Sequence, residues 1–141
     1  MTGPLEILQS KYDWLAQRIK TSDTAYSFLT ERQDNGSPHV EFADGEFHYV
    51  VTERGSEFER RSTADIDEIL YWLVYDLTFW MAVAYEVKHR IPNQDFRRVM
   101  FAHQVELTKK ADPQFAERLK LEIADTLAKN PFLDSLSPAR L

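Results

Sequence analysis

From Pro4 to about Lys20 the apolar residues Leu5, Leu8, Tyr12, Leu15 and Ile19 recur at steps of three and four. That is the period of an amphipathic helix, and a proline suits its first turn. Residues 24–32 (TAYSFLTER) fit either a strand or a further helical turn, and QDNGSP after them carries strong turn chemistry. From His39 the period falls to two. Val40 and Phe42 flank Glu41, and Phe47, Tyr49 and Val51 alternate with His48 and Val50 across Asp44-Gly45, which predicts an antiparallel hairpin. A second turn at Arg54-Gly55-Ser56 returns Glu57 to Arg61 as a third, charged strand whose large apolar residue is Phe58. Charge of that kind protects a sheet edge from unwanted pairing.

The helical period resumes after Ser62 or Thr63, either of which is a plausible cap, and runs to about His89. Asp65, Asp67 and Glu68 lie in its first turn and Lys88, His89 and Arg90 at its end, the signs favoured by the helix dipole. One stripe holds Ile66, Ile69, Leu70, Leu73, Leu77, Trp80, Met81, Ala84 and Val87, and a second face holds Trp72, Phe79 and Val83. Apolar residues nearly all round predict burial on several sides. A third helix is expected from Asn93 or Gln94 to Lys110, with Phe96, Val99, Met100, His103 and Leu107 in phase. Asp112-Pro113 starts a fourth helix through Lys129, carrying Phe115, Leu119, Ile123 and Leu127. The order predicts an α+β protein: a small antiparallel meander of three or four strands, one face packed against about four helices, in a single domain over 1–141.

Composition narrows the function classes. There are 141 residues, 43% hydrophobic, enough to enclose one core, and no cysteine, which excludes disulfides, thiolate catalysis and cysteine-ligated metals. The opening MTGPLE lacks the pattern of a secretory leader, so the expected location is the cytoplasm. Within the apolar run 69–87, Asp76 and Glu86 make a membrane span unfavourable. The net charge is -6, and residues 1–45 hold seven acids against four bases, residues 65–92 five against two. Such a surface repels phosphate backbones, so no nucleic-acid partner is expected, and a basic protein is the better candidate.

Catalytic signatures are absent from the sequence: it has no HExxH, no GxSxG, no glycine-rich phosphate loop, and four glycines in all. No cofactor is expected. His39, Glu41 and His48 meet across the hairpin but lack metal-ligand spacing. Asp76 lies among apolar neighbours and needs a cation or several donors, for which Arg97 and Arg98 at the start of the next helix are the expected partners, with His103 as a third. A polar cleft around Asp76, His103, Arg97 and Arg98 would make the chain a small ligand-binding domain or enzyme instead. Tyr71, Tyr75 and Tyr85 suit either a core rim or a partner-facing surface. The stretch EFHYVVTERGSEFERRST offers Glu46, Glu53, Arg54, Glu57, Glu59 and Arg60 as candidate contacts of a protein-docking edge.

FHYVVTERG with ERRST, then DEILYWLVYDLTFWMA, YEVKHRIPNQDFRRVMF and KNPF, taken in that order over about 38–134, resemble the immunity protein 63 family of bacterial polymorphic toxin systems. The resemblance implies a cytoplasmic, non-catalytic protein that binds a cognate toxin and protects the producing cell. It sets no oligomeric state. The residues that carry it are Glu53, Arg54, Gly55, Tyr71, Asp76, Arg90, Asp95, Arg97, Arg98, Pro131 and Phe132.

Overall fold

The computed structural model describes residues 3–19 and 28–134. Its elements are α1 (Pro4–Ala16), β1 (Asn35–Ala43), β2 (Glu46–Glu53), β3 (Ser56–Thr63), α2 (Ile66–Lys88), α3 (Phe96–Ala111) and α4 (Pro113–Lys129). The fold is α+β, with a three-stranded antiparallel sheet in the order β1-β2-β3. The chain divides into two compact units, residues 1–74 and 75–141, and α2 contributes to both.

In the first unit, α1 buries Leu8, Tyr12, Leu15 and Ala16, the stripe its spacing predicts. Residues 24–27 lie outside the described residues, and 28–32 are irregular. The expected turn around Asn35 is instead the start of β1, whose pairing shifts between Asn35 and Pro38, with Gly36 at φ 87° absorbing the irregularity. Both hairpin turns place their central residues at positive φ: Asp44 (54°) with Gly45 (79°), and Arg54 (53°) with Gly55 (82°). Two successive positive φ values match the strand twist, which is why an Asp-Gly pair and an Arg-Gly pair sit there.

The sheet departs from the one-faced arrangement its alternation predicts. Val40, Phe47 and Tyr49 are buried on one face, but His39, Val50 and Thr52 on the other are buried as completely. The adjacent Val50-Val51 pair and the threonine offer no outward polar rhythm that would mark a wet face. One face meets α2 where Tyr49 and Trp72 pack edge to face, 6.3 Å between ring centres. The two sheet edges also differ. At β1 the Val40 N–H donates to the Leu29 carbonyl at 2.8 Å, so the preceding segment covers that edge. Residues 54–60 of the β2–β3 hairpin are exposed throughout.

Helix α2 is capped by Asp65 rather than by Ser62 or Thr63: its Oδ1 accepts from the Asp67 N–H at 2.9 Å. Ser62 is occupied by His48, 2.6 Å away. Beyond Val74, the predicted core stripe of α2 is only partly buried. Trp80 is 66% exposed and Val87 60%, while Ala82 and Thr78 are fully buried. The reason is a polar seam that the apolar pattern conceals. Thr78 Oγ1 accepts from Gln104 Nε2 and from Thr108 Oγ1, each at 3.3 Å, and all three residues are at most 1% exposed. Satisfied hydrogen bonds let that side of α2 turn inward against α3, which carries Trp80 and Val87 outward. Asp95 rather than Asn93 or Gln94 caps α3, and Asp112 with Pro113 opens α4 as the sequence predicts.

Candidate partner-binding surface

Of the six candidate contacts, Glu53, Arg54, Glu57, Glu59 and Arg60 are exposed and Glu46 is half-buried. They do not stand as isolated charges. Arg60 donates to Glu57 at 2.6 Å and lies 3.5 Å from Glu41, and Arg61 lies 2.6 Å from Glu59. The Arg60 hydrogen bond holds the Glu57 carboxyl below the usual range, and the His39 bond followed by the Arg60 charge does the same for Glu41. Arg61 also lies over the rings of Tyr49 (4.3 Å) and Trp72 (4.6 Å), an aromatic seat for a guanidinium.

Phe58 is the feature the charge pattern obscures. Thr52 pairs with Glu57 and Val51 with Glu59, so Phe58 is the extra residue of a β-bulge, and it is 67% exposed. A bulge re-aims a side chain and interrupts the ladder. Its even spacing with Arg60 predicts only an ordinary strand residue. An exposed phenylalanine between two glutamates on an open strand is suited to filling a pocket on another protein.

The residues carried over at the α3 entrance come together as a clamp. Arg97 donates to both carboxylate oxygens of Asp95 (2.8 Å at the closest), to the Asn130 carbonyl (3.0 Å) and to the Pro131 carbonyl (2.9 Å). Asp95 accepts in addition from the Leu133 and Arg97 N–H groups, each at 2.9 Å. Asp134 returns the bond, accepting from the Asp95 N–H and from Arg98 Nε, both at 2.9 Å. Both guanidiniums lie over the Phe132 ring, Arg98 at 4.2 Å. These bonds drive the Asp95 carboxyl far below its usual range, the Arg97 hydrogen bond contributing most and burial opposing it. Arg90 is paired in the same manner with the buried Glu86, at 2.8 Å. Tyr71 is buried, and Gly55 holds its turn.

The expected pairing of Asp76 with Arg97 or Arg98 is therefore replaced: Asp95 and Asp134 take those guanidiniums. Helix order favours the wrong acid, because Asp95 lies only two residues from Arg97 and Asp134 approaches only through the tail after α4. Asp76 itself is half-buried. The polar cleft is also redrawn. A groove of 360 Å³ brings His103 and Arg98 together with Gln94, Glu106, Tyr85 and Ile91, without Asp76 or Arg97. Tyr85 is stacked between His103 (3.7 Å) and His89 (3.9 Å), and desolvation lowers the His103 pKa. His39 bonds Glu41 at 2.7 Å while His48 turns to Ser62. Among the described residues no group of three histidines or carboxylates is placed to hold a metal ion, and no helix is long and apolar enough to cross a membrane.

The fold is that of a small α+β protein with an exposed, charged β2–β3 hairpin. The family model for immunity protein 63 matches residues 43–125, more than half of the chain, from the end of β1 into α4. The chain belongs to the immunity protein 63 family. No curated protein and no solved structure matches it.

Proposed function

We propose that this chain is a cytoplasmic immunity protein that binds a cognate toxin of a polymorphic toxin system and blocks it without catalysis. Family membership supports the toxin partner. The observation that carries the contact surface is the β2–β3 hairpin, where an open strand presents Phe58 at a bulge between Glu57 and Glu59. Phe58 would enter an apolar pocket, and Glu46, Glu53 and the neighbouring acids would face a basic rim on the toxin. Desolvated aromatic anchors set affinity, and rim charges set the rate of encounter. The test is co-expression with the protein encoded immediately upstream. Rescue from growth arrest with co-purification is the expected result, and failure of both rejects the reading. The His103 groove favours a second reading, a small-ligand site. Thermal-shift screening of small polar metabolites tests it, and a hit abolished by His103→Ala is the result that would support it.

A further inference from the structure

The stretch QDNGSP, residues 33–38, holds a reactive pair for which neither the fold nor the hairpin surface accounts. Of the three asparagines, Asn35 is followed by Gly36, Asn93 by Gln94 and Asn130 by Pro131. Gln94 crowds its backbone nitrogen with a side chain, Pro131 has no N–H to lose, and Gly36 has neither obstacle. Asn35 and Gly36 are both exposed. The Asn35 side chain is folded forward over its own peptide, its Oδ1 accepting from the Ser37 N–H at 3.0 Å. Asn35 pairs with Glu53 and Pro38 with Val51, which leaves Gly36 and Ser37 together opposite Thr52 and interrupts the ladder there. Gly36 itself has φ 87°.

These parts are those of an intramolecular acyl transfer. The Gly36 nitrogen gives up its proton and attacks Cγ of the Asn35 side-chain amide. An N–Cγ bond forms, the Cγ–Nδ2 bond breaks, and the amide nitrogen takes up the proton and leaves as ammonia, closing a five-membered succinimide. Nucleophile and electrophile are held in adjacent residues, and the Ser37 N–H already bonded to Oδ1 meets the negative charge that builds on that oxygen. Water then opens the ring. Addition at Cγ restores the ordinary backbone with an aspartate, whereas addition at the main-chain carbonyl carbon leaves an isoaspartate with the backbone running through the side chain. Either product brings a carboxylate to the ladder position facing Glu53, whose Oε2 lies 3.9 Å from where a Cβ on Gly36 would sit. Like charges opposite one another on paired strands are destabilising. The neighbouring Asp34 is a joint: its N–H donates to Thr52 Oγ1 at 3.1 Å and its carbonyl accepts from the Arg54 N–H at 3.3 Å, tying the start of β1 to the β2–β3 turn.

We infer that Asn35-Gly36 is a site of spontaneous deamidation, and that the carboxylate it creates loosens the joint between the start of β1 and the β2–β3 turn. The site stands apart from the toxin reading, and its test needs no toxin. The full chain is kept at physiological temperature and mildly alkaline pH, and samples taken over days are digested with trypsin and mapped by mass. Cleavage after Arg32, Arg54, Arg90, Arg97 and Lys129 puts the three asparagines on separate peptides. Asn35 should lose ammonia at least about ten-fold faster than Asn93 and Asn130, and isoaspartate, the mark of the ring, should be found at position 35. Because the pair is exposed at an interrupted end of the sheet, the folded chain should react within about ten-fold of the rate of the urea-unfolded chain. Hydrogen exchange at the Arg54 amide should quicken in the aged protein and in the Asn35→Asp variant, while α3 and α4 keep their protection. A smaller margin over Asn93 and Asn130 overturns the inference. So does a product that is aspartate alone, or a folded chain slower than that ten-fold bound. Exchange at Arg54 unchanged by both ageing and Asn35→Asp overturns the loosening of the joint.

Discussion

The β2–β3 hairpin and the α3 entrance are both built from arginine and carboxylate side chains, yet they use them in opposite ways. At the hairpin, Arg60, Arg61, Glu57 and Glu59 keep 38–45% of their side-chain surface exposed and pair side chain to side chain. Such pairs contribute little to stability and are readily exchanged for contacts with another molecule. At the α3 entrance, Asp95 keeps 6% exposed and accepts from backbone N–H groups as well as from Arg97. There the charges tie residues 130–134 to the start of α3, and losing one strands the others. Counting ion pairs would rate the two regions alike, whereas burial and backbone partners separate a surface open to recognition from a fastener of the fold.

The largest expected effect is at the clamp. Asp95→Ala removes the α3 cap and leaves Arg97 and the Leu133 N–H without their acceptor, so it should cost about 2–4 kcal/mol in urea unfolding. A loss under about 1 kcal/mol would put the clamp on a par with surface pairs. Acid should expose the same node. Because the folded pKa of Asp95 is depressed, the unfolded chain takes up the proton first, and the stabilisation is complete above roughly pH 4 and falls as pH drops below it. The gap in melting temperature between wild type and Asp95→Asn should accordingly narrow on acidification, and a constant gap would remove the carboxylate from the account.

Smaller effects sharpen the hairpin side. Gly55→Ala meets no neighbouring atom but must hold φ at +82°, so a cost of about 1 kcal/mol is expected from backbone strain alone. Reversing Glu57 and Glu59 to lysine should change stability by no more than about 0.5 kcal/mol, while slowing association with the toxin about ten-fold at low salt. Stopped-flow association rates at low and high salt would check this, and a salt-independent rate would speak against electrostatic encounter. The smallest effect is at His103. Desolvation lowers its folded pKa, so the unfolded state gains the proton first and stability should decline slightly as pH falls below about 6.5. His103→Phe should flatten that slope and keep the Tyr85 stack.

Much of the fold could be read from the chain, because turns and caps are local. Asp44-Gly45, Arg54-Gly55 and Asp112-Pro113 each require one backbone conformation, and each stands where its chemistry predicts. Tertiary choices were harder to see. Trp80 and Val87 look like core in any hydrophobic pattern, and only the Thr78, Gln104 and Thr108 seam turns α2 so that they face out. The acid that pairs with Arg98 comes from Asp134, 36 positions away, and no spacing rule links the two. Phe58 hid among charges, since a bulge is a matter of register between strands rather than of composition.

The central claim is that the hairpin edge grips the toxin while the clamp only holds the fold. Calorimetric titration of the toxin domain into wild type, a Phe58→Asp variant and an Asp95→Asn variant, each verified as folded, tests it most directly. The account predicts at least a hundred-fold weaker binding for Phe58→Asp, and affinity within about two-fold of wild type for Asp95→Asn, as expected when a desolvated anchor is lost from one surface and the other is untouched. Unchanged affinity for Phe58→Asp, or a larger loss from Asp95→Asn, would contradict it.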